Sequence, residues 1–89
     1  MTKAKRTKTL FFTAGWCPPC KGVKRMLAKP ENAELAGKID VVDIDTAEGA
    51  KLADTFKAQA IPMFVSPDGE EHVGALTAKQ LAKFHGGSR

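Results

Sequence analysis

The sequence predicts a small α/β domain built on a mixed four-stranded sheet with helices on both faces. Short apolar or β-branched segments alternate along the chain with segments whose apolar residues recur at helical spacing. Hydrophobic residues make up 43% of the chain and charged residues 27%, a balance typical of soluble globular proteins. The length of 89 residues allows one domain at most.

The first two predicted elements are a strand and the helix that follows it. Residues 9–14 form a short apolar run suited to the centre of a sheet. A helix is predicted over residues 17–29, because Cys20, Val23 and Leu27 fall on one face at helical spacing. Since this helix leads to another strand, the two strands should be parallel and joined by a right-handed crossover.

The later elements are predicted from the same two periodicities. They comprise helical residues 31–36, 47–56 and 77–84 and strands over 39–44, 63–66 and 70–73. Asp45 and Glu48 are expected to cap the second of these helices, whose Leu52 and Phe56 should face the core.

Turn and capping residues organise the C-terminal third. Pro67-Asp68-Gly69 is a tight-turn sequence, so the last two strands should form an antiparallel hairpin. Thr77 and Gln80 form a capping box at the start of the last helix. From His85 onward the chain should fray.

Positive charge is concentrated at the N-terminus. The net charge is +4, and the first eight residues contain no acid but four bases, Lys3, Lys5, Arg6 and Lys8. The remaining chain is formally neutral, so residues 1–8 are interpreted as a flexible solvated tail and residues 9–85 as the domain. No aromatic residue interleaves with these charges, which leaves nucleic-acid binding without support.

Targeting signals and cysteine usage bear on the compartment. The sequence has no run of about 20 apolar residues, the length that a membrane helix needs. Its apolar run Leu10-Phe11-Phe12 is too short for a signal-peptide core. We therefore expect an uncleaved cytoplasmic protein that does not bind membranes. Structural disulfides are rare in that reducing compartment, so the two cysteines are expected to be redox-active or metal-binding.

The two cysteines, Cys17 and Cys20, flank Pro18 and Pro19 at the predicted start of a helix. A helix N-terminus carries unpaired N–H groups and about half a positive charge, which favour a thiolate. We therefore expect a lowered pKa for Cys17, with Cys17 the exposed nucleophile and Cys20 shielded on the apolar face. Cys17 would attack a substrate disulfide, and Cys20 would then attack Cys17 and release the reduced substrate.

Two other interpretations of the cysteine pair are weaker. A structural zinc site needs four ligands, of which one CxxC supplies two. His72 and His85 are too far apart in the sequence to form a recognisable pair, and both are expected at the surface. A purely structural disulfide across so short a loop would constrain little of the unfolded chain. No metal or other cofactor is therefore expected besides the Cys17–Cys20 disulfide.

The segment Trp16-Cys17-Pro18-Pro19-Cys20-Lys21 resembles the WCxPCK active site of the thioredoxin family, and the likeness extends over about residues 8–84. Ile61-Pro62 stands where the family carries a cis-proline facing the dithiol, and Val73-Gly74-Ala75 resembles its glycine turn. The resemblance implies a minimal thioredoxin-like fold and the reduction of protein disulfides by a monomer that a thioredoxin reductase supplies with electrons. The implied substrate-binding residues are Trp16, Pro18, Pro19, Ile61, Pro62 and Gly74.

Three features depart from the family pattern. Only eight residues precede the first predicted strand, where the family usually carries an extra strand and helix. Arg25 occupies the place of a mid-helix proline. Phe11 stands six residues before Cys17, where the family carries a buried aspartate thought to take the proton of the second cysteine. Attack by Cys20 is therefore expected to be the slower step.

Two alternative functions stay open. A glutaredoxin-like electron donor, of the kind that serves ribonucleotide reductase, would suit the length. However, the chain has no tyrosine, and its Gly86-Gly87 pair follows the last predicted helix instead of preceding it. A thioredoxin-like accessory binding module would suit the fold, although the intact dithiol argues against binding as its sole role.

Overall fold

The computed structural model of the chain describes residues 7–86, which contain all the predicted elements in the predicted order. These elements are β1 (Thr9–Thr13), α1 (Pro18–Ala28), a 3-10 turn (Pro30–Asn32), α2 (Ala33–Ala36), β2 (Ile39–Asp43), α3 (Ala47–Thr55), β3 (Met63–Val65), β4 (Glu71–Val73) and α4 (Ala78–Gly86). Their ends differ from the predicted ones by one or two residues. Most of the predicted basic tail, residues 1–6, and residues 87–89 lie outside the described part of the chain.

The four strands form one mixed sheet in the order β2-β1-β3-β4. β1 pairs with β2 in parallel and with β3 antiparallel, and β3 pairs with β4 antiparallel. The hairpin between β3 and β4 turns at Gly69, whose φ of 95° suits glycine and whose N–H donates to the Ser66 carbonyl at 2.9 Å. All five residues of β1 are buried, as expected of a central strand.

Alternate residues of β1 face two different apolar layers. On one face, Phe11 and Phe64 of β3 pack with residues of α1 and α4, namely Val23, Leu27 and Leu81. On the other face, Leu10 and Phe12 belong to a second cluster that α3 covers through Ala53, with Phe56 just beyond its end. The prediction of helices on both faces is therefore confirmed.

The start of α3 differs from the predicted capping arrangement. Thr46, not Asp45, is the N-cap, because its hydroxyl accepts the Gly49 N–H at 2.9 Å. The same hydroxyl donates to the Asp43 carbonyl at 2.8 Å and so fixes the helix to the end of β2.

The prediction that Leu52 faces the core is also wrong. Its side chain is 37% exposed, whereas Phe56 is half-buried against the second cluster. The inward face of α3 is formed instead by Gly49 and Ala53, which lie one turn apart. Leu52 precedes Ala53 and lies about 100° around the helix from it.

The end of α4 is more ordered than the sequence indicates. The capping box is confirmed, since the Thr77 hydroxyl accepts the Gln80 N–H at 3.2 Å and the Gln80 amide oxygen accepts the Thr77 N–H at 3.0 Å. The helix continues to Gly86, and His85 Nδ1 lies 2.8 Å from the Thr9 hydroxyl of β1. The expectation that the chain frays from His85 onward is therefore wrong for His85 and Gly86, because α4 includes both and a buried hydroxyl gives the His85 ring a partner. Residues 87–89, for which fraying is also expected, lie outside the described part of the chain.

Candidate active site

Cys17 and Cys20 are joined by a disulfide at the junction between β1 and α1. The connection is short: the Cys17 N–H donates to the Ala14 carbonyl at 3.2 Å, so the chain enters the helix directly after the strand. The two Cα atoms are 5.2 Å apart. Cys17 is the N-cap of α1, and Cys20 lies in its first turn.

The first turn of α1 directs one backbone donor at the sulfur of Cys17. The Cys20 N–H donates to Cys17 Sγ at 3.3 Å. Pro18 and Pro19 occupy the first two helical positions, where the absence of an N–H costs no helical hydrogen bond. The helix N-terminus adds partial positive charge at the same place. A hydrogen-bond donor and a helix N-terminus are features that favour negative charge on a cysteine sulfur.

Burial of the two cysteines differs less than the sequence indicates. Cys17 is 4% exposed and Cys20 is fully buried. The expectation of an exposed Cys17 is therefore wrong for the disulfide form, because its side chain belongs to the same apolar cluster as Phe11 and Phe64. Exposure at the site comes from the residues beside it, chiefly Trp16 at 64%.

The Ile61–Pro62 bond is cis, as the family resemblance implies. Ile61 packs against the cluster that contains both cysteines. The Gly74 N–H donates to the Pro62 carbonyl at 2.9 Å, and the φ of 119° at Gly74 favours glycine. The structure therefore brings Ile61, Pro62 and Gly74 to the dithiol end of the sheet.

Trp16 is held by a residue that the sequence did not indicate as part of the site. Its indole Nε1 donates to Asp45 Oδ1 at 3.4 Å, across 29 residues of sequence. A shallow groove beside the ring is lined by Ile44, Ala58 and Ile61 among others. A tryptophan with one polar contact and an exposed face is suited to contacting a partner.

Phe11 and Thr13 are both buried residues of β1. Phe11 is fully buried in the cysteine cluster and stacks on Phe64, with ring centroids 4.9 Å apart. The place of the family's aspartate is thus taken by a side chain that cannot accept a proton. Thr13, two residues further along β1, is fully buried as well.

Within residues 7–86, no group of three or more His, Cys, Asp or Glu side chains is placed to hold a metal ion. The same part of the chain contains no helix that is long and apolar enough to cross a membrane.

Comparison with known proteins gives a consistent result. The family model described as thioredoxin matches residues 1–85. The chain is 36% identical over 77 residues to thioredoxin C-2 of Corynebacterium nephridii, covering 82% of this chain and 70% of that protein. It is 46% identical over 79 residues to the H-type thioredoxin of Brassica oleracea, covering 81% of this chain and 60% of that protein.

The fold is also similar to solved structures. A crystal structure of a thioredoxin from Malassezia sympodialis superposes with a TM-score of 0.60 at 30% identity, covering 83% of this chain and 68% of that one. The chain thus spans about 60 to 70% of the length of these relatives. With the family model matched over nearly all of its residues and a cysteine pair at the start of α1, this chain belongs to the thioredoxin family.

Proposed function

We propose that this protein reduces disulfide bonds in other proteins by dithiol exchange, with Cys17 as the nucleophile and Cys20 as the resolving thiol. The observation that carries the proposal is the placement of the Cys17–Cys20 disulfide at the N-terminus of α1. Membership of a family of thiol–disulfide oxidoreductases supports the same chemistry.

The proposed reaction moves two electrons from the dithiol to the substrate. Cys17 thiolate attacks one sulfur of the substrate disulfide, and the other sulfur leaves as a thiolate that is protonated by water. Cys20 then loses its proton and attacks Cys17 Sγ, which forms the Cys17–Cys20 bond and breaks the mixed disulfide. The second substrate sulfur leaves reduced, and the dithiol is oxidised.

The proposed substrate surface surrounds Cys17. Trp16, Pro18 and Pro19 are exposed and can contact a partner. Ile61 and Gly74 lie at the same end of the sheet, and an extended substrate segment could pair with the Ile61 backbone beside the buried Pro62. The remaining parts of the proposal are a monomeric cytoplasmic protein, reduction by a thioredoxin reductase, and no cofactor besides the disulfide.

Insulin reduction tests the proposal directly. Wild-type protein should precipitate the insulin B chain in the presence of dithiothreitol. Cys17→Ser should lose this activity, whereas Cys20→Ser should accumulate a mixed disulfide with the substrate. Activity that survives Cys17→Ser would contradict the assignment of the nucleophile.

The electron source separates the proposed function from its alternatives. Turnover with NADPH and a thioredoxin reductase is expected. Turnover with glutathione alone would instead favour the glutaredoxin-like electron donor. A wild-type chain that binds partner proteins but reduces none would favour the accessory binding module.

A further inference from the structure

The hydroxyl of Thr13 is a buried polar group with no hydrogen-bond partner among residues 7–86. Thr13 is fully buried, and so are Thr9 and Ser66. Those two hydroxyls are partnered: Thr9 Oγ1 pairs with His85 at 2.8 Å, and Ser66 Oγ accepts the Glu70 N–H at 3.1 Å. A buried hydroxyl without a partner is costly, so Thr13 calls for an explanation that the fold itself does not supply.

Thr13 is the last residue of β1, at the end of the strand that leads to the dithiol. Thr9, Phe11 and Thr13 alternate onto one face of the strand, the face on which Thr9 meets α4 and Phe11 contacts the cysteine cluster. Thr13 is the member of this row closest to the loop that leads into α1. Because the Cys17 N–H bonds the Ala14 carbonyl, the chain turns from the end of β1 into α1 within the four residues that follow Thr13.

In the oxidised state no acceptor among residues 7–86, the disulfide sulfurs included, lies within hydrogen-bond reach of this hydroxyl. Reduction breaks the bond between the two sulfurs and leaves the Cys20 side chain free to turn. In the disulfide, Cys20 carries no S–H and its sulfur is a weak acceptor. After reduction the same sulfur becomes a thiol, or a thiolate when it attacks, and a thiolate accepts hydrogen bonds strongly. Cys20 is fully buried, and the neighbouring Phe11 offers no polar atom.

We infer that the Thr13 hydroxyl donates a hydrogen bond to Cys20 Sγ in the reduced protein and so assists the resolving thiol that Phe11 cannot assist. This role rests on the proposed function, in which Cys20 attacks the mixed disulfide. Thr13 keeps its own proton throughout. The proton of Cys20 passes to solvent, the Cys17–Cys20 bond forms, and the bond between Cys17 and the substrate breaks. The hydroxyl stabilises the thiol and thiolate but not the disulfide.

The inference predicts a change in reduction potential when the hydroxyl is removed. Thr13→Val replaces the hydroxyl by a methyl group of similar shape. Loss of one hydrogen bond that exists only in the reduced form should disfavour that form about fivefold, which lowers the potential by about 20 mV for a two-electron couple. Equilibration with glutathione buffers, followed by trapping and mass spectrometry, measures this shift without any protein substrate.

Two further variants separate the hydroxyl from a packing effect. Thr13→Ser keeps the hydroxyl and loses a buried methyl, so it should lower the melting temperature but hold the potential at the wild-type value. Thr9→Val removes a buried hydroxyl from the far end of the same face. It should destabilise the oxidised and reduced forms equally and leave the potential unchanged.

The kinetic consequence is a longer-lived mixed disulfide. Thr13→Val should slow its decay at neutral pH, whereas Thr13→Ser should not. A potential that is the same in Thr13→Val and wild type would overturn the inference, as would an equal shift in the valine and serine variants. Wild-type protein that leaves insulin unreduced would instead overturn the proposed function.

Discussion

At the level of single residues, the proposed reaction depends on how differently Cys17 and Cys20 behave once they are reduced. Cys17 is the N-cap of α1, and its Sγ accepts a hydrogen bond from the Cys20 N–H. Cys20 lies in the first turn of the helix and is fully buried. We expect iodoacetamide to alkylate Cys17 much faster than Cys20 at neutral pH, because the thiolate is the reactive form.

Tandem mass spectrometry of the peptide that holds both cysteines would measure this order, with fully denatured protein as the control. In the denatured control the two thiols should react at similar rates. Preferential labelling of Cys20 in the folded protein would reverse the proposed roles.

The roles of some site residues could be predicted from the sequence, whereas the contacts of others could not. Cys17 and Cys20 are close in sequence, and their spacing and position after a strand indicate their chemistry without a structure. Asp45 contacts Trp16 across 29 residues, and His85 contacts Thr9 across 76. Such pairs depend on how the elements are placed in space, so no local sequence pattern predicts them.

At the level of elements, α3 is fixed to the sheet by a close approach at Gly49. A Cβ on this residue would clash with the backbone carbonyl of Asp43 and lie 2.9 Å from the Thr46 hydroxyl. Gly49→Ala should therefore destabilise the protein, although alanine is the better helix former. Gly22→Ala is the matched control, since its added Cβ meets no atom within 4 Å.

Chemical denaturation of the two variants tests this contact. Gly22→Ala should raise the free energy of unfolding by about 0.5–1 kcal/mol, the ordinary gain in a helix interior. Gly49→Ala should lower it, because neither the strand backbone nor the cap can move without breaking hydrogen bonds. Equal stabilisation by both substitutions would show that α3 can shift freely away from β2.

The end of α4 should give the protein a dependence on pH. The pKa of His85 is lowered, first by its partial burial and second by the nearby positive charge of Lys38. A lowered pKa in the folded state means that the unfolded chain binds this proton more readily. The stabilising contribution of neutral His85 is therefore present above pH 6.5, the ordinary value, and is lost as the pH falls below it.

Urea unfolding between pH 5 and 8 would reveal this contribution. In wild type the free energy of unfolding should fall toward pH 5, and His85→Gln should flatten that fall. His72→Gln removes the other histidine and serves as the control. An identical pH profile in wild type and His85→Gln would contradict the assignment.

The elements themselves were largely predictable, because periodicity and turn residues are local properties. The start of α3 was not, since Asp45 and Thr46 are both good capping residues and adjacent in sequence. Asp45 instead accepts a hydrogen bond from Trp16, which leaves Thr46 to cap the helix. A contact made in the folded protein thus decides between two locally equivalent caps.

At the level of the whole molecule, the dithiol and the hydrophobic core are not separate. Phe11 belongs to the cluster that joins α1, α4 and the sheet and also contains both cysteines. A domain of this size has roughly 4–13 kcal/mol of stability, and loss of a buried phenylalanine typically costs about 3–5 kcal/mol. The fold therefore depends on an apolar side chain at the place where the reaction would benefit from a base.

Phe11→Asp should lower the stability of the protein and raise the rate at which Cys20 attacks the mixed disulfide. The buried carboxylate should lower the free energy of unfolding at pH 7 and, because burial raises its pKa, stability should recover partly as the pH falls toward 4. The mixed disulfide of this variant should decay faster than that of wild type. In wild type, the decay should become faster as the pH rises. Stopped-flow fluorescence of Trp16, the one tryptophan of the chain, can follow this decay.

Phe11→Leu controls for lost packing, since it loosens the same cluster without adding a base. Decay that is equally fast in the aspartate and leucine variants, or independent of pH from about 6 to 9 in wild type, would show that a proton acceptor at this position does not limit the reaction.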